Sequence, residues 1–422
     1  MGNIRTSSTP DVSLCLSSMF RLFSRRSSRS HYIRASFLLC VLFSLVDLFS
    51  LSSRRSAAWY HAQTALVPSI AAERIFLASI HWNNAAVLSS NWTSSLLSLT
   101  AKIGPENVYI SILESGSWDQ SKGVLKELDW ALEKLGVSKQ VTLSSSTHKD
   151  ELEKPMGEGW IDTPRGRREL RRIPYLSRLR NEVMKPLEEE TNAGRGYGRV
   201  VWINDVVFTA EDVIELLNTR DGDYAAACSL DFAKPPAYYD TFALRDNEGY
   251  EAVTSTFPYF RSRLSREAIL SGLPVPVQSC WNGIVAFDAE PWTGIDKLEF
   301  RGVPDSLADY HLEGSECCLV HADNPLTPSH GVWLNPRVRV GYNPGAYETV
   351  HESEPWPAVG TAYWGNWRNR VARWVTPTRF KKNTVDKRLE QWASQDKSRF
   401  EMGKLCLINE MQVLIENGWA HV

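Results

Sequence analysis

Several groups of residues in this 422-residue chain have types and spacing that suit chemistry. Asn204-Asp205 follows the apolar run Val200-Val201-Trp202-Ile203. An acid at the end of a buried strand is rigidly held; it suits a divalent cation, and it equally suits a turn or the cap of the next helix. Ile203 stands two positions before Asp205, so this place offers one carboxylate and not a spaced pair. Arg180-Asn181 lies on an expected helix ahead of that strand. A guanidinium bonds two phosphate oxygens at once, although a solvated helix face uses the same residues. Asp240 and Asp246 flank an apolar stretch and Arg245, and either meets a substrate or pairs with that arginine. Trp281-Asn282-Gly283 combines a ring for stacking, an amide for hydroxyl groups and a glycine for close approach; a packed turn is the plainer reading. Glu316 is a late acid suited to proton transfer, and His321 is either a metal ligand or a satisfied core histidine.

The elements that must position these groups read as alternating strands and helices. Residues 74–80 and 108–113 are short apolar runs, with helical spacing over 85–103 between them. Residues 120–135 are amphipathic and stop at Gly136, a helix C-terminal signal, and 140–143 form a third strand. The order implies an α/β fold with a parallel sheet covered by helices, and ligands at the carboxyl ends of its strands. Thr209 caps a helix that follows the Asp205 strand and runs to Leu217. Residues 146–172 read as a mobile charged loop, whose Arg165, Arg167, Arg168, Arg171 and Arg172 form either a lid or a solvated surface. The glycines of 194–198 fit a flexible connector and neither a dinucleotide nor a P-loop pattern. Residues 386–418 read as a long amphipathic helix.

Composition narrows the class. A net charge of -2 argues against a nucleic-acid binder. Sixteen Trp and fourteen Tyr suit a large core or a carbohydrate-lined cleft. Of seven cysteines, Cys15 and Cys40 lie near the N-terminus, and the other five leave at least one unpaired if the rest form disulfides. The N-terminal residues 1–34 are Arg- and Ser-rich, and 35–51 is an apolar run of spanning length that includes Asp47. Six arginines before the run outnumber Arg54-Arg55 after it, so the expected orientation leaves the N-terminus cytosolic and the rest lumenal. Asn91-Trp92-Thr93 is a sequon compatible with that side.

The blocks Arg178-Leu179-Arg180-Asn181, Met184-Lys185-Pro186-Leu187 and Trp202-Ile203-Asn204-Asp205-Val206 occur in one collinear order with three more. These are Tyr239-Asp240-Thr241 with Arg245-Asp246, Ser279-Cys280-Trp281-Asn282-Gly283, and the stretch from Ser315 to Asp323. Together the series resembles the fungal alpha-1,3-mannosyltransferases, the cryptococcal mannosyltransferase and capsule-associated proteins of glycosyltransferase family 69. The resemblance implies a GT-A-type nucleotide-sugar-binding (Rossmann-like) domain. It implies retaining transfer of mannose from GDP-mannose to a glycan acceptor, with Mn2+. It places Asp205 and His321 at the metal, and Arg180, Asn181, Asn204, Asp205 and Asp246 at the donor. Glu316 and Asp240 become the catalytic candidates, and Trp281, Asn282 and Gly283 the acceptor side. The expected organisation is a cytosolic tail (1–34), a signal anchor (35–51), a stem (52–72), a catalytic domain (73–345) and a C-terminal extension (346–422), in a Golgi or other secretory membrane. Another nucleotide sugar, such as UDP-xylose or UDP-glucose, and a non-catalytic role in polysaccharide assembly or export are the competing readings.

Overall fold

The computed structural model describes residues 12–64, 73–352, 355–376 and 379–422. Residues 1–11 of the expected tail and 65–72 of the expected stem lie outside them. The chain divides into two compact units, Met1–Ser53 and Arg54–Val422. In chain order the strands are β1 (Ile75–His81), β2 (Val108–Glu114), β3 (Ser138–Leu143), β4 (Trp160–Asp162), β5 (Arg168–Leu170), β6 (Arg199–Ile203), β7 (Ala226–Phe232), β8 (Arg245–Asp246), β9 (Val275–Ser279), β10 (Ile284–Asp288), β11 (Glu313–Gly314), β12 (Val332–Gly341), β13 (Leu407–Ile408), β14 (Gln412–Ile415) and β15 (Gly418–His421). The helices that bear on function are α1 (Val12–Thr64), α2 (Thr93–Ile103), α3 (Ser121–Lys134), α4 (His148–Leu152), α5 (Arg172–Asn192), α6 (Ala210–Leu217), α7 (Arg263–Leu270), α8 (Glu316–Asp323), α9 (Val359–Val375) and α10 (Arg379–Ala393).

The apolar runs form one nine-stranded sheet in the order β3-β2-β1-β6-β10-β7-β12-β9-β8. The first four strands are parallel neighbours. β10 runs against β6 and β7, and β9 runs against β12 and β8, so the other seven strands share one direction. The strand order reverses at β1, with β2 on one side and β6 on the other. A crevice opens at such a reversal, beyond the carboxyl ends of the strands.

Packing explains why these segments take these forms. Every residue of β2 and β7 is buried, which a strand covered on both faces requires. Leu125, Leu128 and Leu132 recur at helical spacing on α3 and enter the same core as Ile110, Val201 and Ile203. Burying each such leucine contributes about 2 kcal/mol. Gly136 follows α3 with φ +70°, the left-handed conformation that ends a helix. α6 starts on a capping box: Thr209 accepts from the Asp212 amide, and Asp212 accepts from the Thr209 amide.

Three expectations change. The 146–172 segment is ordered: a capping box of Thr147 and Asp150 starts α4, and β4 pairs with β5 as a hairpin. Arg165 and Arg167 bind Glu169 from the surface, in keeping with the charged-surface reading, whereas the fully buried Arg171 binds Glu313 and Asp305 and is structural. The helix expected over 386–418 ends at Ala393; β13 then pairs with β11, and β14 and β15 form a hairpin. α1 is far longer than residues 35–51 and includes part of the expected tail and stem. Within it, His31–Ala57 is long and apolar enough to cross a membrane.

Candidate active site

Asp205 lies two residues beyond the end of β6, at the reversal point of the sheet. Its backbone is held from both sides. The Asn204 amide donates to the Gly283 carbonyl at 2.8 Å, and Trp92 Nε1 donates to the Asn204 carbonyl at 2.9 Å. Gly283 has φ +74°, and a Cβ there would meet Val340 Cγ2 at 2.3 Å, so only glycine fits this approach. Asn204 and Asp205 line a cleft of about 280 Å³. Arg172 and Arg180 also line it. Burial pushes the Asp205 carboxyl above its ordinary range, and a hydrogen bond from Asn84 works against that shift.

The opposite wall is aromatic. Trp82, just past β1, stacks on His148 of α4 with ring centroids 4.6 Å apart. Trp419 of β15 packs on the Arg172 guanidinium at 4.7 Å. Trp82 Nε1 and His148 Nδ1 are buried without a protein partner. The cleft therefore presents one carboxylate, two guanidinium groups, stacking rings and unpaired polar atoms, a set that suits a polar ligand with a ring and a negatively charged group.

Arg180 is tightly placed. Its Nε donates to Glu316 Oε1 at 3.0 Å, and its guanidinium packs on Trp281 at 4.5 Å and Trp202 at 5.2 Å. Glu316, with only 2% of its surface exposed, is thereby engaged by Arg180. Beside this pair, two further acids meet. Asp231 Oδ1 accepts from the Asp240 amide at 3.1 Å, and Asp231 Oδ2 accepts from the Tyr342 hydroxyl at 3.0 Å. Burial, and for Asp231 the charge of Asp240, push both carboxyls up, so this pair keeps a proton where surface acids have lost theirs.

Asn181, Asp246, Asn282 and Arg245 have their polar atoms consumed by the protein, whereas His321 Nδ1 is buried with no hydrogen-bond partner among the described residues. Asn181 locks the Phe300 backbone by donating to its carbonyl and accepting from its amide, both at 2.8 Å. Asp246 accepts from the Glu248, Tyr250 and Ser262 amides. Trp281 and Asn282 are buried, and Asn282 bonds the Asp240 carbonyl at 2.6 Å, so these two serve packing and not an open acceptor face. Arg245 donates to four backbone carbonyls and pairs with neither Asp240 nor Asp246. His321 is fully buried, bonded to the Cys280 carbonyl at 2.6 Å and stacked on Phe287 at 5.3 Å. Among the described residues the metal-ligand types gathered at His321 are Cys228 and Cys280, and Asp205 is not in that group. Burial also holds the His321 imidazole neutral, down to about 4. The geometry thus gives Asp205 and His321 no common ion. His321 instead neighbours the Cys228–Cys280 disulfide; a second disulfide joins Cys318 to Cys406, and Cys317 is the buried free thiol.

Sequence reading missed Asp231, Tyr342, Trp82, His148 and Trp419. Asp231 carried a signal, because it lies near the carboxyl end of an apolar strand as Asp205 does. Trp419 carried none. The sequon asparagine also has a structural use: Asn91 Oδ1 accepts from the Phe208 amide at 3.0 Å.

A sequence model of the family described as cryptococcal mannosyltransferase 1 matches residues 74–323. No curated protein matches the chain in sequence. Solved structures that align with the chain include the Pyrobaculum calidifontis mannosyltransferase PcManGT in complex with GDP-Man and Mn2+, at 9% identity and TM-score 0.34, covering 85% of this chain and 89% of that one. GalNAc-T7 with UDP, GalNAc and Mn2+ aligns at 11% identity and TM-score 0.36, over 64% of this chain and 43% of that one. The glucosyl-3-phosphoglycerate synthase of Mycobacterium tuberculosis aligns at 12% identity and TM-score 0.29, over 78% and 86%.

Proposed function

The chain belongs to the cryptococcal mannosyltransferase 1 family, and from that premise we propose that it is a retaining alpha-1,3-mannosyltransferase that moves mannose from GDP-mannose to a glycan acceptor in cell-wall, capsule or glycoconjugate synthesis. The observation that carries this reading is Asp205 sharing one cleft with Arg172, Arg180 and an aromatic wall. The base of the donor lies against Trp82 and His148. The diphosphate lies between the two arginines, where guanidinium pairs match its oxygens.

The donor atoms at Asp205 are oxygens, which fit a hard divalent cation such as Mn2+. Asp205 would hold that ion, and His321 is given no part in it. When bound, the metal supplies charge neutralisation for the departing diphosphate. The protein positions the rest. Glu316 fixes the Arg180 guanidinium against the phosphates, a positioning role in place of the acceptor contact expected from sequence. In the transfer, the anomeric carbon–phosphate oxygen bond breaks while an acceptor oxygen bonds the same face. The acceptor proton leaves with the GDP oxygen, which needs only phosphate stabilisation and a placed acceptor. Asp240, half-buried beside the Arg180–Glu316 pair, is the acid left for an acceptor hydroxyl, while Asp231 keeps its oxygens on the Asp240 amide and the Tyr342 hydroxyl.

The membrane reading has two supports. His31–Ala57 has spanning length and composition, and the two disulfides suit an oxidising compartment. We place the chain as a single-pass type II protein of a Golgi or related secretory membrane, with Arg54–Val422 lumenal.

The test is a screen of nucleotide sugars against the full chain in detergent, with and without Mn2+. Metal-dependent mannose release or transfer from GDP-mannose is expected. Preference for a UDP-sugar would redirect the donor assignment, and no turnover of any donor would leave the assembly-partner reading in its place.

A further inference from the structure

Helix α9 has its polarity inverted. The face it turns to the protein is small and polar, with Ala362, Gly365, Asn366 and Asn369 buried. Gly365 lies so close to the Phe257 carbonyl that no side chain fits between them. Asn369 donates to the Phe260 carbonyl at 3.3 Å. The outward face carries Trp364, Arg368, Val371 and Val375 in one helical stripe, with Trp374 beside it. Trp364 and Trp374 are 73% and 75% exposed. A helix bordered by water shows the opposite pattern, and exposed tryptophans and valines interleaved with arginine mark a contact surface.

The charge around this stripe is predominantly positive. α9 contains Arg368, Arg370 and Arg373 and no acid. Arg261 reaches the end of α9, donating to the Thr376 carbonyl at 2.9 Å, and Arg263 and Arg266 follow it on α7. Arg266 and Arg373 are buried enough, and near enough to the other guanidinium groups, that both hold their protons less tightly than usual. Glu267 is the acid within this group, and Arg54 and Arg263 share it.

Chain connectivity names the occupant. Arg54 and Arg55 belong to the last turn of the apolar stretch His31–Ala57. Arg54 binds Glu267 on α7 at 3.0 Å, and Arg55 donates to the Pro355 carbonyl at 2.6 Å and to that of Pro357, just before α9. A chain leaving a bilayer here brings α7 and α9 to the level of the headgroups. Tryptophan is favoured at that depth, and arginine bonds lipid phosphates. We infer that α9 lies on the membrane surface, with Trp364, Val371, Trp374 and Val375 at the headgroup–acyl boundary and the flanking arginines on phospholipid phosphates. This rests on the membrane-anchor reading above.

The test uses the full chain, with Cys15 and Cys40 changed to Ser, reconstituted in vesicles of phosphatidylcholine and phosphatidylserine. A nitroxide is placed at residue 371 by Val371→Cys and, as a control, at the exposed α3 position by Trp130→Cys. At 371 the label should meet membrane-dissolved oxygen and be protected from a water-soluble nickel complex; at 130 the order should reverse. Equal nickel access at both positions overturns the inference, and shielding of 371 from both reagents overturns it in favour of a protein partner or a second copy. Resistance to alkaline carbonate is read on the same vesicles. Extraction removes the anchor and this inference together, whereas retention with 371 in water removes the docking alone.

Discussion

Asp205 and Asp246 are both acids beside strands of one sheet, yet they belong to halves of different character. Asp205 stands where the parallel strands β1 and β6 diverge, and it opens on a cleft. Asp246 lies on the edge strand β8, where three backbone amides occupy its two oxygens. The same contrast separates Arg180 from Arg245. The first lines the cleft and is steadied by one acid and two indole rings, while the second spends its donors on carbonyls. Residue type is therefore a poor guide to function in this molecule, and what already satisfies the polar atoms is a good one.

Substitutions can break this contrast. The largest effect is expected at Asp205. Asp205→Ala should lower the transfer rate about 10²–10³-fold, as loss of a key electrostatic group does, with the melting temperature nearly unchanged. Initial rates and a thermal melt on the same sample check both halves of that statement. Asp246→Ala should do the reverse. Three amides lose their acceptor, at about 1–3 kcal/mol each before relaxation, so denaturant unfolding should shift strongly while the folded fraction still binds nucleotide. A cleft-wall change is milder. Trp419→Ala removes a ring and its Arg172 contact, and should raise KM for the donor about tenfold, or ~1.4 kcal/mol, with kcat little changed.

The smallest effect concerns pH. The Asp231 carboxyl is held above the ordinary carboxylate range, at about 7, because burial and Asp240 disfavour its charge. The folded protein then binds a proton that the unfolded chain has released. Stability falls as pH rises from the ordinary carboxylate range to about 7, and this contribution is absent above that. Asp231→Asn should flatten the decline relative to the parent chain in melts taken between pH 5 and 8. An equal slope in both would show that the pair ionises as surface acids do.

Much of the fold was legible. Continuous apolar runs announce buried strands, and β1, β2 and β6 lie where the runs do. The Thr209 cap and the Gly136 stop are local signals and were read correctly. Asp205 was legible for the same reason: a strand ends there. The missed features are non-local. Arg171 looked like part of a solvated loop because its partners Glu313 and Asp305 are more than 130 positions away. Asn181 looked available because Phe300, whose backbone it binds, lies beyond β10. The β14–β15 hairpin looked helical because the core it joins is distant in sequence: Leu414 packs on Trp160 and Tyr175. His321 combined a metal-ligand type with a suitable place in the order of blocks, and its actual neighbours, Phe287 and the Cys228–Cys280 disulfide, are distant in sequence.

The central claim is that the Asp205 cleft takes the nucleotide diphosphate with its metal. Calorimetric titration of the full chain in detergent with GDP, with and without Mn2+, tests it most directly when the parent, Asp205→Asn and His321→Gln proteins are compared. Mn2+ should tighten GDP binding in the parent and in folded His321→Gln, and Asp205→Asn should lose at least about tenfold of that affinity. Equal Mn2+-dependent binding by Asp205→Asn and the parent would contradict the account.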